Sequence, residues 1–409
     1  MKLLTVDTVE TARRKILASV AHWELSGEPV EIGQALGRVL AADISAPEDV
    51  PIFRRSTVDG YAVISADTAG AGEAAPVLLR LAGAVEMGRP AGFDLRWGEC
   101  AYVPTGGMIP DGADAMVMIE YSEGFGGEIA VYESAAAGSR IARVGEDIGR
   151  GELLLRRGSK LGSREIGALA AAGIAAAPVC RPLRVSIISS GDELVAPSAL
   201  PGPGEIRDVN SLALDALARE SGCRVVGARA ARDDGGELEG AVRDAMRESD
   251  LVALSGGSSQ GAKDMTARVF SGLASPGVFT HGLAIKPGKP TILGYDEKTD
   301  TLLAGLPGHP VSALMVFRVL FSWLARQLSG QKEPRPIPAQ IACSLAGSPG
   351  RACYQPVALR ACGGGYLADP VFGKAGMITT LTKADGYVVI DLNREGLKKG
   401  EDVLVFPWD

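Results

Sequence analysis

LRVSIISSG (183–191), CRVVGARAA (223–231), DLVALSGG (250–257) and TLLAGLPG (301–308) are four short apolar runs that end in small or polar residues. Amphipathic segments separate them. NSLALDALARESG (210–222) has apolar residues at helical spacing, with Asn210 or Ser211 as cap and Gly222 as stop. ELEGAVRDAMRES (237–249) carries Leu238, Ala241, Val242, Ala245 and Met246 on one stripe, and VSALMVFRVLFSWLARQL (311–328) follows the fourth run. Strands alternating with helices in this way predict a parallel sheet with helices on both faces.

The texture differs on either side. Residues 8–22 form one amphipathic pattern through Val9, Ala12, Ile16, Leu17 and Val20. From 28 to about 145, short apolar runs alternate with turn signals such as APEDVP, AGAGE, PDGAD and EGFGG, so this region is read as mostly β. SREIGALAAAGI (163–174) reads as a helix with Ser163 as cap and Gly173 as stop. The stiff stretch EPRPIPAQ (333–340) marks a boundary. Beyond it, QIACSLAG, QPVALRA, DGYVVIDLN and EDVLVFPWD read as strands of a small β domain.

The 409 residues suggest several domains at about 150 residues each. Lys plus Arg is 42 and Asp plus Glu is 49, a net charge of −7 that argues against general nucleic-acid binding. The 46% hydrophobic content argues against wholesale disorder. GALAAAGIAAAPV (167–179) is too short to cross a bilayer, and Arg318 interrupts the richer stretch at 311–324, so no membrane partner is expected. MKLLTVDTVETARRK lacks the apolar core of a secretory signal. None of the six cysteines forms a CxxC pair, and a reducing cytoplasm is the expected location. His22, His281 and His309 are too scattered for a His-built metal site.

In open α/β sheets the ligand sits at the carboxyl ends of the strands. Here those ends carry SSGDEL (189–194), RDD (232–234), SGGSSQGAKD (255–264) and GLPGHPVS (305–312), with carboxylates at Asp192, Glu193, Asp233, Asp234 and Asp264. Gly256, Gly257 and Gly261 would let backbone N–H groups approach an anion. The helix after Pro310 would present its N-terminus, with Ser312 in the first turn. Each segment alone is explained by turn formation and capping; four at one edge point to a site. LAIKPGKP (283–290) sets Lys286 and Lys289 on a loop stiffened by Pro287 and Pro290. Rigid paired cations suit a phosphate or another oxyanion. Asp59 before Gly60 and Asp147 between Gly145 and Gly149 fit turns as readily as function.

VDGYAV, PTGGMIPDGADAMVMIE, GEDIGRGE, SSGDEL, SGGSSQGAKD, LAIKPGKP and GLPGHPVSA occur in this order. Together they closely resemble the molybdopterin molybdenumtransferase family, that of MoeA and the gephyrin E domain, from about residue 7 to the C-terminus. The resemblance implies an elongated, four-part subunit of α/β plus β class. Its parts are an N-terminal helix (1–26) on the α/β domain, a linking domain I (27–47 and 147–181) and a mostly-β domain II (48–146). A MogA-like, parallel-sheet α/β domain III (182–330) and a C-terminal β domain IV (331–409) complete it. It implies a homodimer whose cleft is shared between subunits. It implies insertion of molybdate, as co-substrate, into adenylylated molybdopterin with release of AMP, assisted by Mg²⁺ or a similar divalent cation.

Molybdate is a tetrahedral dianion, and on this reading Lys286, Lys289, the backbone at Pro290, and Arg351 bind it. Glu193, Asp233 and Asp264 supply hard oxygens to the metal. Ser259, Asp264 and Ser312 fall on family positions that contact or activate the hydrolysis. Asp59, Thr105 and Asp147 fall on functional positions of the other domains, Asp59 reaching the partner's cleft. Asp208 and Asn210 would hydrogen-bond the pterin side, and Gly256, Gly257, Pro307 and Pro310 shape the substrate-binding turns. Four departures stand out: Ser258 and Gln260 in GGSSQG, Gly282 where the family often has Lys, His309 where Asn is commonest, and Ala375 where Ser is common. They fit a paralogue with altered oxyanion preference, such as tungstate, and His309 fits a structural role equally well. Thr379 or Thr380 could stand in for the missing hydroxyl. The alternatives are a scaffold that kept only the fold and a molybdopterin adenylyltransferase, which otherwise enters as a partner enzyme.

Overall fold

The computed structural model describes residues 6–232, 234–256 and 260–408, and the side chains of these outside 260–264. Helix α1 (Val9–Ser19) starts where the Thr8 hydroxyl accepts from Thr11 N. Its stripe of Val9, Ala12 and Ile16 is buried, so the pattern at 8–22 is a helix shortened at both ends. After α1, Gly27–Glu31 pairs antiparallel with Ala176–Cys180, and Ile44–Ser45 with Leu153–Leu155. Segments on either side of the middle region thus form one unit around Leu40, Leu161, Leu169 and Val179. Its helix α2 (Ser163–Ala171) corrects the expected cap: Ser163 is the first helical residue, and Glu165 accepts from Gly162 N. Between these segments lies a six-stranded sheet. Ala62, Ala101 and Met116 are buried on one face, and Val63, Cys100 and Val117 on the other.

The α/β unit follows. Strands Arg224–Ala231, Arg184–Ser190, Leu251–Gly256 and Thr301–Leu306 lie side by side and parallel, as the four runs predict. Neighbouring residues alternate between faces. Ile187 and Ala253 pack under α1, α3 (Asn210–Glu220), α6 (Pro310–Phe317) and α7 (Trp323–Ser329). Ile188 and Leu254 pack under α4 (Gly235–Glu248) and α5 (Gln260–Leu273). The sheet extends beyond expectation by Ile292–Asp296, antiparallel to Thr301–Leu306, and by Pro276–His281, antiparallel in turn to Ile292–Asp296. The short turn 297–300, tied by Thr299 to Asp296, reaches back only far enough for antiparallel pairing. The predicted helix 311–328 is two helices joined by a π-helical turn at Arg318–Ser322. Pro310–Ser329 is the one stretch among the described residues apolar and long enough to cross a membrane, and it is mostly buried in the core.

The C-terminal unit is a closed sheet in which Ala352–Cys362 pairs on both sides and encloses Ile341, Val357, Val388 and Val405. The short strand Ile285–Lys286 joins this sheet, parallel to Ala352–Cys353. The α/β unit thereby hands one strand to its neighbour.

Candidate functional site

The carboxyl ends of the parallel strands are drawn together by buried polar side chains. Asp208 accepts from the Ser189 hydroxyl (3.0 Å) and from Ser211 N (3.1 Å). It supports the first turn of α3 from the residue ahead of the N-cap, Val209, which corrects the expected caps Asn210 and Ser211, and it ties that helix to the sheet. Asn210 donates through Nδ2 to Ser255 Oγ and to Gly308 O, both at 2.8 Å. Ser255 in turn donates to Pro307 O. The Oδ1 of Asn210 is buried without a partner among the described residues. This network fixes Pro307 and Gly308 of GLPGHPVS against Ser255. At Gly256 a Cβ would lie 2.3 Å from Ser190 O, so only glycine allows the two strand ends this close.

The lysine loop is closed on itself. Gly282 N donates to Thr291 O (2.8 Å), Leu283 N to Lys289 O (3.0 Å) and the Thr291 hydroxyl to Gly288 O (2.7 Å). Gly288 has φ +120°, and a Cβ there would meet Val316 Cγ2 at 2.5 Å, so the loop rests directly on α6. Pro287 follows a cis bond, and Pro290 is half-buried. Lys286 pairs in register with Cys353, and Ala352 N donates to Ala284 O, which places Arg351 beside the loop. Lys286, Lys289 and Arg351 are all exposed, and no ion pair engages any of them among the described residues. Burial raises the Cys353 thiol pKa, and the charges of Lys286 and Arg351 act against that rise.

Ser312 is buried in the first turn of α6, behind Pro310. The N-terminus of this helix is less open to an anion than the sequence suggests, because Val311 N donates to Ala375 O (3.1 Å). The loop carrying Ala375 thus covers the helix start by its backbone. His309 is exposed, makes no side-chain capping bond, and lies against Gly376. Thr380 is buried and Thr379 exposed.

Asp59 and Thr105 come together on the middle sheet, where Asp59 Oδ1 accepts from Thr105 N (2.8 Å). Both are exposed, and among the described residues no hydrogen bond or ion pair links either to the lysine loop. Asp147 lies on a separate exposed turn, docked through its N–H on Val50 O. Among the expected metal ligands, Glu193 has an exposed carboxylate with no partner among the described residues, a hard donor suited to a divalent cation. Asp233, Gly257 and Ser259 lie outside the described residues, and Asp264 is in α5 with its side chain likewise outside them. The described residues contain no group of three His, Cys, Asp or Glu poised to hold a metal. The Asn210–Ser255–Gly308 bridge was only partly foreshadowed: Ser255 and Gly308 looked like turn residues, and nothing local marks their shared partner.

Comparison with known proteins covers nearly the whole chain. The profile for the MoeA N-terminal region (domain I and II) matches residues 7–173. That for a probable molybdopterin binding domain matches 186–326, and that for the MoeA C-terminal region (domain IV) matches 338–408. A molybdopterin molybdenumtransferase of Haemophilus influenzae is 32% identical over 410 residues, covering 98% of each chain. Molybdopterin molybdenumtransferase 2 of Mycobacterium tuberculosis is 36% identical over 311 residues, covering 75% of this chain and 76% of the other. Among solved structures, a molybdopterin biosynthesis MoeA protein from Pyrococcus horikosii superposes with a TM-score of 0.81. It is 37% identical and covers 99% of this chain and 100% of its own.

Proposed function

The chain belongs to the molybdopterin molybdenumtransferase (MoeA) family of molybdenum cofactor biosynthesis, and from that premise we propose that it inserts molybdate or tungstate into adenylylated molybdopterin, releasing AMP. The observation that carries the reading is the cluster of Lys286, Lys289 and Arg351, three exposed cations without ion-pair partners among the described residues, on a self-closed loop and the segment beside it. In a chain of net charge −7, such a locus suits a tetrahedral dianion that accepts charge-assisted hydrogen bonds. The reaction breaks a phosphate–phosphate bond, and cations near the leaving charge stabilise it. Asp208 and Asn210 hold the cleft floor rigid, and the Asn210 Oδ1, without a partner among the described residues, leaves one acceptor for the pterin side. Magnesium or a similar cation, when bound, would be held by Glu193 with Asp233 and Asp264 and would offset charge on the departing AMP.

The test is AMP release from adenylylated molybdopterin, measured with each oxyanion in turn and with magnesium titrated. Oxyanion-dependent release is expected. No release despite a folded protein would favour a scaffold, and adenylylation of unmodified molybdopterin would favour the adenylyltransferase.

A homodimer is part of this proposal. Asp59 and Thr105 sit on the middle sheet with no hydrogen bond to the lysine loop among the described residues, and we infer that a partner's loop is where they act. Sedimentation should give a dimer at micromolar concentration, and a monomer there would remove the shared cleft. All six cysteines are free, as suits the proposed reducing cytoplasm.

A further inference from the structure

We propose that Asp7 is a positioning residue for the oxyanion step, because it fixes the backbone from which Lys286 projects. The inference rests on the reading of 286–289 as the oxyanion-binding loop. Segment 282–284 lies just ahead of Lys286, and its backbone is bound on three sides. Within the loop it is held by Thr291 and Lys289, and from the C-terminal unit by Ala352. The third side is Asp7. Its N–H donates to Gly282 O (3.0 Å), and its carbonyl accepts from Ala284 N (2.7 Å), in a parallel bridge with Leu283.

Residues 6–8 form no extended strand, so this strap needs its own anchor. The Asp7 carboxylate supplies it, accepting from Lys15 Nζ and from the Thr280 hydroxyl, both at 2.6 Å. Lys15 also donates to Phe279 O (3.0 Å). One residue thus joins α1 to strand Pro276–His281 through its side chain and steadies 282–284 through its backbone. The anchor is well sheltered, with the Asp7 side chain 13% exposed and Thr280 buried. Gly282 completes the fit: it has φ +113°, and a Cβ there would reach Val6 at 3.7 Å. Among the described residues no ion pair holds the Lys286 ammonium, so its position follows chiefly from the backbone. Misplacement of such a group by about 1 Å can cost up to 100-fold.

The experiment measures AMP release against molybdate concentration for the wild type, Asp7→Asn and Thr280→Val. Both variants should raise the half-saturating molybdate concentration about 10-fold, with the rate at saturating molybdate within about twofold of wild type. Thr280→Val keeps the side-chain volume, so the test survives if Asp7→Asn fails to fold. An unchanged molybdate requirement overturns the proposal, as does a loss confined to the saturated rate. If the wild type itself releases no AMP, the functional reading falls, and calorimetric titration with molybdate alone still decides the strap. Weaker binding by Thr280→Val supports it, and equal binding overturns it.

Discussion

Lys286→Ala and Lys289→Ala should each raise the molybdate concentration for half-maximal AMP release by about 10- to 100-fold, the equivalent of one hydrogen bond to a charged group at about 1.5–3 kcal/mol. The fold gives little reason to expect any other loss. Both side chains are exposed, neither takes part in an ion pair among the described residues, and the loop is held by backbone bonds that alanine preserves. Surface replacements of that kind usually change stability by no more than about 0.5 kcal/mol. Close cations also repel one another, so losing one relieves that cost when no anion is present. The effect should shrink at high salt, since exposed charges are screened over about 8 Å at physiological ionic strength. Titrating molybdate at two salt concentrations checks both parts. An unchanged requirement in either variant would remove that lysine from the oxyanion site.

What the sequence revealed and what it hid divide along the range of the interactions. Three of the four parallel strands were legible because each is buried on both faces and so reads as an apolar run, and the mostly exposed edge strand Arg224–Ala231 was legible from its place between two helical patterns. Pro276–His281 and Ile292–Asp296 were not, because the lysine loop between them masks a pairing set by a short turn further on. Arg318 looked like an interruption of an apolar helix. It sits instead at the π-helical turn, donates to Pro407 O, and lies over the Trp408 ring. The cations of the site were visible as residues, but their gathering depends on a strand shared between two units, and no local pattern announces that. The bond from Asp7 to Gly282 spans most of the chain, and its signal is one acidic residue before a helix, which looks like any helix start.

The same long-range logic identifies the residue whose loss should most damage the fold. Asp250 begins the strand Leu251–Gly256, at the end of the sheet opposite the candidate site. Its carboxylate accepts from Arg184 N (2.7 Å), from the Arg184 guanidinium (2.7 and 3.2 Å) and from Arg181 Nη1 (2.9 Å). The side chain is 7% exposed. Burial pushes its pKa up, but the hydrogen bonds and charges of Arg184 and Arg181 outweigh burial and hold it below the usual carboxylate value. Asp250→Ala leaves two arginines facing a sheltered gap, and breaking such an arrangement costs about 3–5 kcal/mol. For a unit of roughly 150 residues, that should lower the melting transition by about 10 °C or more. The sign of the pH dependence follows from the depressed pKa. The stabilisation is fully present above the unfolded carboxylate value, near 3.8, and is lost as pH falls through the lower folded value. The gap in melting temperature between wild type and Asp250→Asn should therefore be widest between pH 5 and 7, taken as roughly the plateau for carboxylates, and should narrow below about pH 4. Melting curves across that range check it. A gap that stays constant down to about pH 3 would mean that the ionised carboxylate is not what holds Arg181 and Arg184 in place.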